Sequence, residues 1–398
     1  MSALVLHGSV RTPRVLFVAT SRGEGGIERY SVQLATQIQA RGVETLFVCA
    51  PSSYIEQAAS RAGVPVHLLH LRNSGDLRAA HSLAGTMRAF GADIVHAHSR
   101  RDYVSSALAV SQVRLCNLNR KSPSLLLHAH LDRPLGVPHA LSGQFFRATA
   151  DRVIAVSQAV QRTVTSSHGL DPRFVPVIYN GIDIDRFSPS QISPRPCQRL
   201  AVRSRLGIPE DVVVVGMLGR LDCKGQDRLL TLIPRLLNHR KTMRFVIAGP
   251  GDPASLQTAA AALGVTDRVS ILAGSCDATA MLPAFDILLH LPQSESFGLA
   301  LAEAMACRIP VITTDVGGCP EVVQDGVTGI VVNGACDPEI ERAILDLSDE
   351  TFGADRRLIL GDAGKDMVAQ RFSLSAQVDR IYALYCDVAD ANACWNTV

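Results

Sequence analysis

The stretch Arg14–Arg41, RVLFVATSRGEGGIERYSVQLATQIQAR, decides the fold class. Its opening residues are a continuous apolar, β-branched run, which reads as a strand buried on both faces. Gly23–Gly26 is a glycine-rich turn, and from Ile27 to Arg41 apolar residues recur with helical spacing. Strand, turn and helix in that order begin a parallel-sheet crossover. The pattern then repeats. Glu44–Cys49, Asp93–His96, Ser124–His128 and Arg152–Val156 are further short apolar runs, most of them separated by amphipathic stretches. A second series starts at Val212–Leu218 (VVVVGML) and continues through Arg244–Ala248, Val269–Leu272, Ile287–Leu291, Pro310–Thr313 and Gly329–Val332. Between the two series, Asn180–Arg195 holds Pro189 and Pro194 with little periodicity, and reads as a linker. The expected fold is α/β, two doubly wound Rossmann-like parallel-sheet domains over residues 1–188 and 189–373. A last helix over 374–398 is expected to pack back on the first domain. Open parallel sheets bind ligands at their strands' carboxyl ends, so two of them facing one another imply an interdomain cleft.

Composition agrees with a globular chain of 398 residues, 47% hydrophobic and 19% charged. No apolar run reaches the roughly 20 residues of a membrane-spanning helix. The first twenty residues lack the apolar core of a secretory signal, so a cytoplasmic location is expected. Ten cysteines without a CxxC pair argue for reduced thiols and against zinc knuckles or thioredoxin chemistry. The net charge of +2 hides an asymmetry: residues 1–185 carry 19 Arg and Lys against 12 Asp and Glu, and ten of the twelve His. The basic half is expected to face an anionic partner.

The segment Pro292–Pro310, PQSESFGLALAEAMACRIP, carries the most chemistry. A strand ends, a polar loop follows, and a helix is expected to open near Ser296–Phe297. Glu295 and Glu303, eight residues apart, then fall on roughly one side of it. The N–H groups of Phe297, Gly298 and Leu299 form a first-turn anion site. Carboxylates flanking a phosphate-binding turn suit a nucleotide sugar. Pro310–Glu321 adds a strand, a Gly317-Gly318 turn and a helix start. Gly219-Arg220 with Lys224-Gly225 leaves another strand end carrying two positive charges.

With these motifs assembled, the chain resembles the large group-1 family of nucleotide-sugar-dependent glycosyltransferases of GT-B fold, which retain anomeric configuration. The resemblance spans nearly the whole chain. Its marks are Gly25-Gly26-Ile-Glu28-Arg29, Asn180-Gly181-Ile-Asp183, Gly219-Arg220 with Lys224-Gly225, Glu295-x7-Glu303, and Pro310-Val-Ile with Gly317-Gly318 and Glu321. It implies that Arg220 and Lys224 neutralise the donor diphosphate, that Glu303 meets the ribose hydroxyls and that Glu295 faces the donor sugar. The turn Phe297–Leu299 would hold sugar and phosphate through backbone N–H groups. Gly25 and Gly26 would allow close approach to the donor, and Gly249 would lie near base or ribose. The leaving phosphate can take the acceptor's proton, so no protein nucleophile is named. No cofactor is expected beyond the donor, a UDP-, GDP- or ADP-sugar.

Two His-Ala-His triplets end strands, His96/His98 and His128/His130. Alternation puts each pair on one face. The resemblance assigns His130 or His128 to the donor sugar, His130 by preference. Glu28, Arg29, His98, Arg100, Arg101 and His128 are acceptor-side candidates. No third-ligand pattern accompanies either pair, so no metal is expected, and Asp183-Ile-Asp185 reads as structural. The spacing GxGxxG does not follow the first strand, which excludes a standard hydride-transfer fingerprint. The expected partners are a glycan or lipid-linked acceptor, not nucleic acid, in polysaccharide or lipopolysaccharide biosynthesis. The Arg-rich stretch Arg100–Lys121, with Arg133, Arg147 and Gln144-Phe145-Phe146, fits peripheral contact with the inner face of the cytoplasmic membrane. A sugar-nucleotide epimerase or hydrolase, or a non-catalytic sugar-nucleotide-binding protein, are the competing readings.

Overall fold

A computed structural model describes residues 12–116, 122–136, 140–187, 195–274, 277–334 and 336–394. Lys121 and the proline-containing centre of the expected linker lie outside these residues. The chain divides into two compact units, residues 1–178 with 378–398, and residues 179–377.

The first unit holds a parallel sheet of β1 (Val15–Ala19), β2 (Thr45–Cys49), β3 (Val66–Leu68), β4 (Ile94–Ala97), β5 (Ser124–Ala129) and β6 (Arg152–Ala155). Its order is β3-β2-β1-β4-β5-β6. The second holds β7 (Val214–Leu218), β8 (Arg244–Gly249), β9 (Val269–Ala273), β10 (Ile287–His290), β11 (Val311–Thr314) and β12 (Gly329–Val332), in the order β12-β11-β10-β7-β8-β9. Both orders are the same doubly wound arrangement. In each, the first strand is central and the chain winds outward from it in both directions. Each described pairing within the two sheets is parallel. The central strands are buried throughout and largely apolar, as strands covered on both faces must be. Their helices begin and end on local signals. Asp76 accepts from Arg78 and Ala79 N–H at the start of Leu77–Phe90, and Gly91 closes that helix in the left-handed region.

The boundary falls ten residues before the expected 188/189 division. The physical reason is backbone pairing inside the second unit. Ile182 N–H donates to Phe372 O at 2.7 Å, Leu374 N–H donates to Ile182 O at 3.0 Å, and Gly181 N–H donates to Gln377 Oε1 at 2.8 Å. Gly181 is needed for this approach, since a Cβ there would lie 2.5 Å from Leu374 Cα. Asn180-Gly181-Ile182 is therefore part of the second unit rather than a free connection. The last helix, Leu374–Cys394, rejoins the first unit from Val378 onward. Val378, Ile381, Tyr385 and Val388 make a buried stripe at helical spacing.

One buried charge network fixes how β7 and β10 lie together. Asp286 precedes β10, and its carboxylate accepts from Val214 N–H at 2.7 Å and pairs with Arg203 at 2.6 Å and Arg199 at 2.7 Å. Arg203, only 1% exposed, also donates to the carbonyls of Ala284, Glu210 and Val212. Removing one partner of a buried pair costs about 3–5 kcal/mol, because the other charge is left uncompensated. Arg203→Ala is expected to lower stability by an amount of that order in urea unfolding followed by circular dichroism. A loss below about 1 kcal/mol would contradict the role given to this network.

Candidate active site

The second unit gathers loops from four strand ends. After β7, Gly219 starts the loop Arg220–Gly225, which Gln226 holds from within. Its side chain accepts from Lys224 N–H at 2.9 Å and donates to Arg220 O at 2.6 Å. Leu291 N–H, just past β10, donates to Lys224 O at 3.1 Å. The result is that Lys224 Nζ lies 2.7 Å from Glu295 Oε2. His290, the last residue of β10, donates to the same carboxylate from Nε2 at 2.9 Å, and Ser296 N–H donates to Oε1 at 3.0 Å. Lys224 and Glu295 side chains are 19% and 15% exposed, and His290 is 2% exposed. Burial pushes the Glu295 carboxyl upward. The hydrogen bond from His290 and the ammonium of Lys224 outweigh it and hold the group well below the usual carboxylate range.

The loop after β11 supports this arrangement from beneath. Gly318 N–H donates to Glu295 O at 2.9 Å. A Cβ on Gly317, whose φ is +53°, would lie 1.9 Å from that same oxygen. Glycine is required there both by conformation and by close approach.

Three expectations are corrected here. The helix opens at Leu299, not near Ser296, with Gly298 as its N-cap at φ 94°. Its first-turn N–H groups are therefore those of Gly298, Leu299 and Ala300, while Phe297 precedes the helix. Consequently Glu295 and Glu303 do not share a helix; Glu295 stands in the preceding loop and Glu303 within Leu299–Ala306. The reason is that the carbonyls of Glu295 and Ser296 are taken up by close packing against Gly317 and Gly318. Phe297 is 2% exposed and packs on Phe372 at 5.4 Å and Tyr179 at 6.2 Å between ring centroids. Its side chain is core. Arg220 is not a free charge, because it pairs bidentately with Asp222 at 3.1 and 2.7 Å in an exposed position. Gly249 ends β8 against Gly219, where a Cβ would lie 2.0 Å from Gly219 O.

In the first unit the two His triplets form one cluster rather than two pairs. β4 and β5 are adjacent and parallel, with His96 opposite Leu126. His96 Nε2 lies 3.2 Å from His128 Nδ1, and His98 Nδ1 lies 3.1 Å from His130 Nε2. His96 Nδ1 is also 2.7 Å from Tyr385 Oη on the last helix. Tyr30 stands edge-on to His128 and His130, at 5.2 and 4.9 Å. All four imidazoles are buried, and burial lowers their pKa values, those of His96 and His130 to about 3, so the rings are neutral. His98, Arg100, His130 and Arg133 line a cavity of about 50 Å³.

The remaining candidates sit around the ends of β1 and β4. Glu28 accepts from Ser21 Oγ at 2.5 Å, and Arg29 donates to Glu24 at 3.0 Å. Gly25 caps the helix Gly26–Ala40 in an extended conformation. Arg100 reaches Gly136 O at 3.3 Å, whereas Arg101 is turned onto the carbonyls of Leu71 and Arg72. Sequence reasoning missed His290, Gln226, Tyr30 and Tyr385. His290 carried a readable signal, since it closes the buried run ILLH as His128 closes LLLH.

Two family models divide the chain between them. Glycosyltransferase Family 4 matches residues 24–186, and Glycosyl transferases group 1 matches residues 198–367. A D-inositol 3-phosphate glycosyltransferase of Geodermatophilus obscurus is 29% identical over 93% of this chain and 86% of its own length. Among solved structures, a glycosyltransferase from Rickettsia africae aligns with TM-score 0.84 at 20% identity, covering 95% of this chain and 99% of its own. Anabaena Alr3699/HepE in complex with UDP and glucose aligns with TM-score 0.79 at 22% identity, covering 94% and 99%. The architecture is thus the two-domain α/β GT-B arrangement.

The lowered Glu295 value fixes the sign of a pH effect. Its stabilisation is complete above the unfolded value, about 4.3, and is lost as pH falls toward the folded value. Wild type is expected to exceed Glu295→Gln in urea midpoint near pH 7, with the gap narrower near pH 3 and still present there. A gap of equal size at both pH values would show that the pair is not the source.

Proposed function

Because the chain belongs to the group-1 glycosyltransferases, we propose that it transfers a sugar from a nucleotide diphosphate sugar to a hydroxyl of an anionic glycan or lipid-linked acceptor, with retention of configuration and without a metal. The observation that carries this reading is the Lys224–Glu295–His290 cluster at the carboxyl ends of β7 and β10. These strands flank the point where the strand order reverses, the usual ligand position in such sheets. The Anabaena protein's complex with UDP and glucose supports a nucleotide-sugar donor. The Geodermatophilus relative's named substrate, a phosphorylated polyol, supports an anionic acceptor, as does the basic first half of this chain.

In this reading the bond between the sugar's anomeric carbon and the diphosphate oxygen breaks as the acceptor oxygen bonds to that carbon. The acceptor's proton passes to the departing phosphate. Charge builds on the leaving oxygen, and Lys224 with Arg220 stabilises it. Glu295 holds Lys224 and meets sugar hydroxyls, the N–H groups of Gly298, Leu299 and Ala300 meet phosphate, and Glu303 meets the ribose. Gly25, Gly26 and Gly249 allow close approach, and His130 faces the donor sugar.

Lys224→Ala is expected to lower kcat by about 10²–10³-fold, the cost of one lost oxyanion donor. Thermal shift with UDP-, GDP- and ADP-sugars identifies the donor, since a ligand that binds only the folded protein raises Tm. Anomeric configuration in the product, read by NMR, tests retention. Rapid epimerisation of donor without acceptor would replace transfer with the epimerase reading.

In the helix Ala140–Thr149 Phe146 is core, 2% exposed, so the apolar contact expected of Gln144-Phe145-Phe146 falls instead to Leu141, 67% exposed, with Gln144 and Arg147 also exposed. These residues and the basic first half support contact with an anionic membrane surface on the way to a lipid-linked acceptor. Among the described residues no helix is long and apolar enough to cross a membrane. Co-sedimentation with anionic liposomes that fades at high salt is the expected outcome, and none at low salt would remove the membrane from the proposal.

A further inference from the structure

The histidine cluster of the first unit has more nitrogen than its hydrogen bonds use. His98 Nε2 and His128 Nε2 are buried and have no hydrogen-bond partner. An unsatisfied buried polar atom is costly, so two at the end of one sheet call for an explanation. Tautomers do not remove the difficulty. A neutral imidazole has one donor and one acceptor nitrogen. Whichever way the proton lies between His96 and His128, the outer nitrogen of His128 is left over, and the His98–His130 contact leaves over that of His98 in the same way.

One ring nitrogen from each of His96, His98 and His128 lies within 4.8 Å of the other two. Nitrogen ligands of tetrahedral zinc sit about 2.0–2.1 Å from the metal, which places them about 3.3 Å from each other. Since no pair of these atoms is more than 4.8 Å apart, the rings reach that spacing by shifts of about 1.5 Å or less, on the order of one ring rotation.

We propose that His96, His98 and His128 form a binding site for a divalent first-row cation, zinc by ligand type. All three rings are buried at the ends of two neighbouring strands, and imidazole is a common zinc ligand. Tyr385 Oη at 2.7 Å from His96 Nδ1 fixes that ring from behind, as outer partners of metal-bound imidazoles do. The cavity beside His98 and His130 gives an entry path. A third ligand is absent from the sequence pattern because it arrives from the neighbouring strand: β4 gives two imidazoles and β5 the third. The ion joins the strand ends that carry the His residues, and it takes no step in transfer. The site therefore stands or falls apart from the donor reading.

The test uses the full chain, stripped with chelator and dialysed, titrated with Zn²⁺ by calorimetry and by thermal unfolding. One equivalent is expected, with Tm rising as free zinc rises. Co²⁺ in its place is expected to give the weak visible bands of nitrogen ligation without the intense near-ultraviolet band of thiolate ligation. His98→Gln should weaken binding at least tenfold. Tyr385→Phe keeps all three ligands, and should bind one equivalent about 10–100-fold more weakly, the usual effect of an outer partner. No saturable binding by the wild-type chain, a thiolate band, or undiminished affinity in folded His98→Gln would each overturn the site. Should His98→Gln fail to fold, Tyr385→Phe decides, and unchanged affinity there overturns it.

Discussion

Parallel strands cannot be joined by short turns, and that constraint organises both units. Each connection must cross back over the sheet, so every strand delivers its carboxyl end to the same edge. Where the strand order reverses, the chain leaves neighbouring strands in opposite directions and the loops part. In the second unit this happens between β7 and β10. Lys224 follows one and Glu295 follows the other, 71 residues apart in sequence and 2.7 Å apart in space. Asp286 makes the placement specific, because it binds the first residue of β7 while standing one residue before β10. A slip of either strand would break that bond and the two Arg pairs together. The ion pair at one end of these strands thus depends on the charge network at the other.

The same constraint explains what was readable in advance. Eleven of the twelve strands announce themselves as apolar runs, most of them because they are covered on both faces; β9, an edge strand of intermediate to exposed residues, is readable from its apolar composition alone. β3 does not: it is a three-residue edge strand, half-buried to exposed, after Pro65, and it lacks the run that signals a strand. Site residue types at strand ends were also legible, since glycines, charges and histidines interrupt apolar patterning there. Their partners were not. Nothing local in SESFGLAL says that Gly298 rather than Ser296 begins the helix. That choice is made by Gly317 and Gly318 pressing on the preceding carbonyls from twenty residues downstream. Likewise the spacing of two His-Ala-His triplets gives their faces but not their adjacency, which follows only from β4 and β5 being neighbours.

The two units handle buried titratable groups in opposite ways. In the second, charge is kept. Glu295 remains ionised at considerable desolvation cost because His290 and Lys224 compensate it directly. In the first, charge is given up. The four imidazoles are neutral because nothing nearby rewards protonation and burial penalises it. The charges of that region stay at the cavity edge, on Arg100 and Arg133. On the proposed function, a neutral interior with a cationic rim suits an acceptor carrying one anionic group beside many hydroxyls. An ionic interior suits a ligand whose own charge must be matched.

That difference also separates Lys224 from Arg220 on the donor reading. The Arg220–Asp222 pair is exposed and local, and such pairs contribute about 0–1 kcal/mol. An arriving diphosphate can therefore take the guanidinium from Asp222 at little cost, with bidentate geometry in its favour. The Lys224–Glu295 pair is mostly buried and shared with His290, so breaking it would strand a carboxylate in a poor solvent. Lys224 has spare donors, since an ammonium has three and Glu295 accepts one. The chemistry that fits is recruitment of Arg220 and retention of Lys224. Lys224 stays bound to Glu295 while turning its remaining protons to phosphate, and Glu295 keeps lone pairs for sugar hydroxyls. The pair then acts as one preorganised unit, in place before the donor arrives, which is the condition under which fixed charges stabilise a leaving group most.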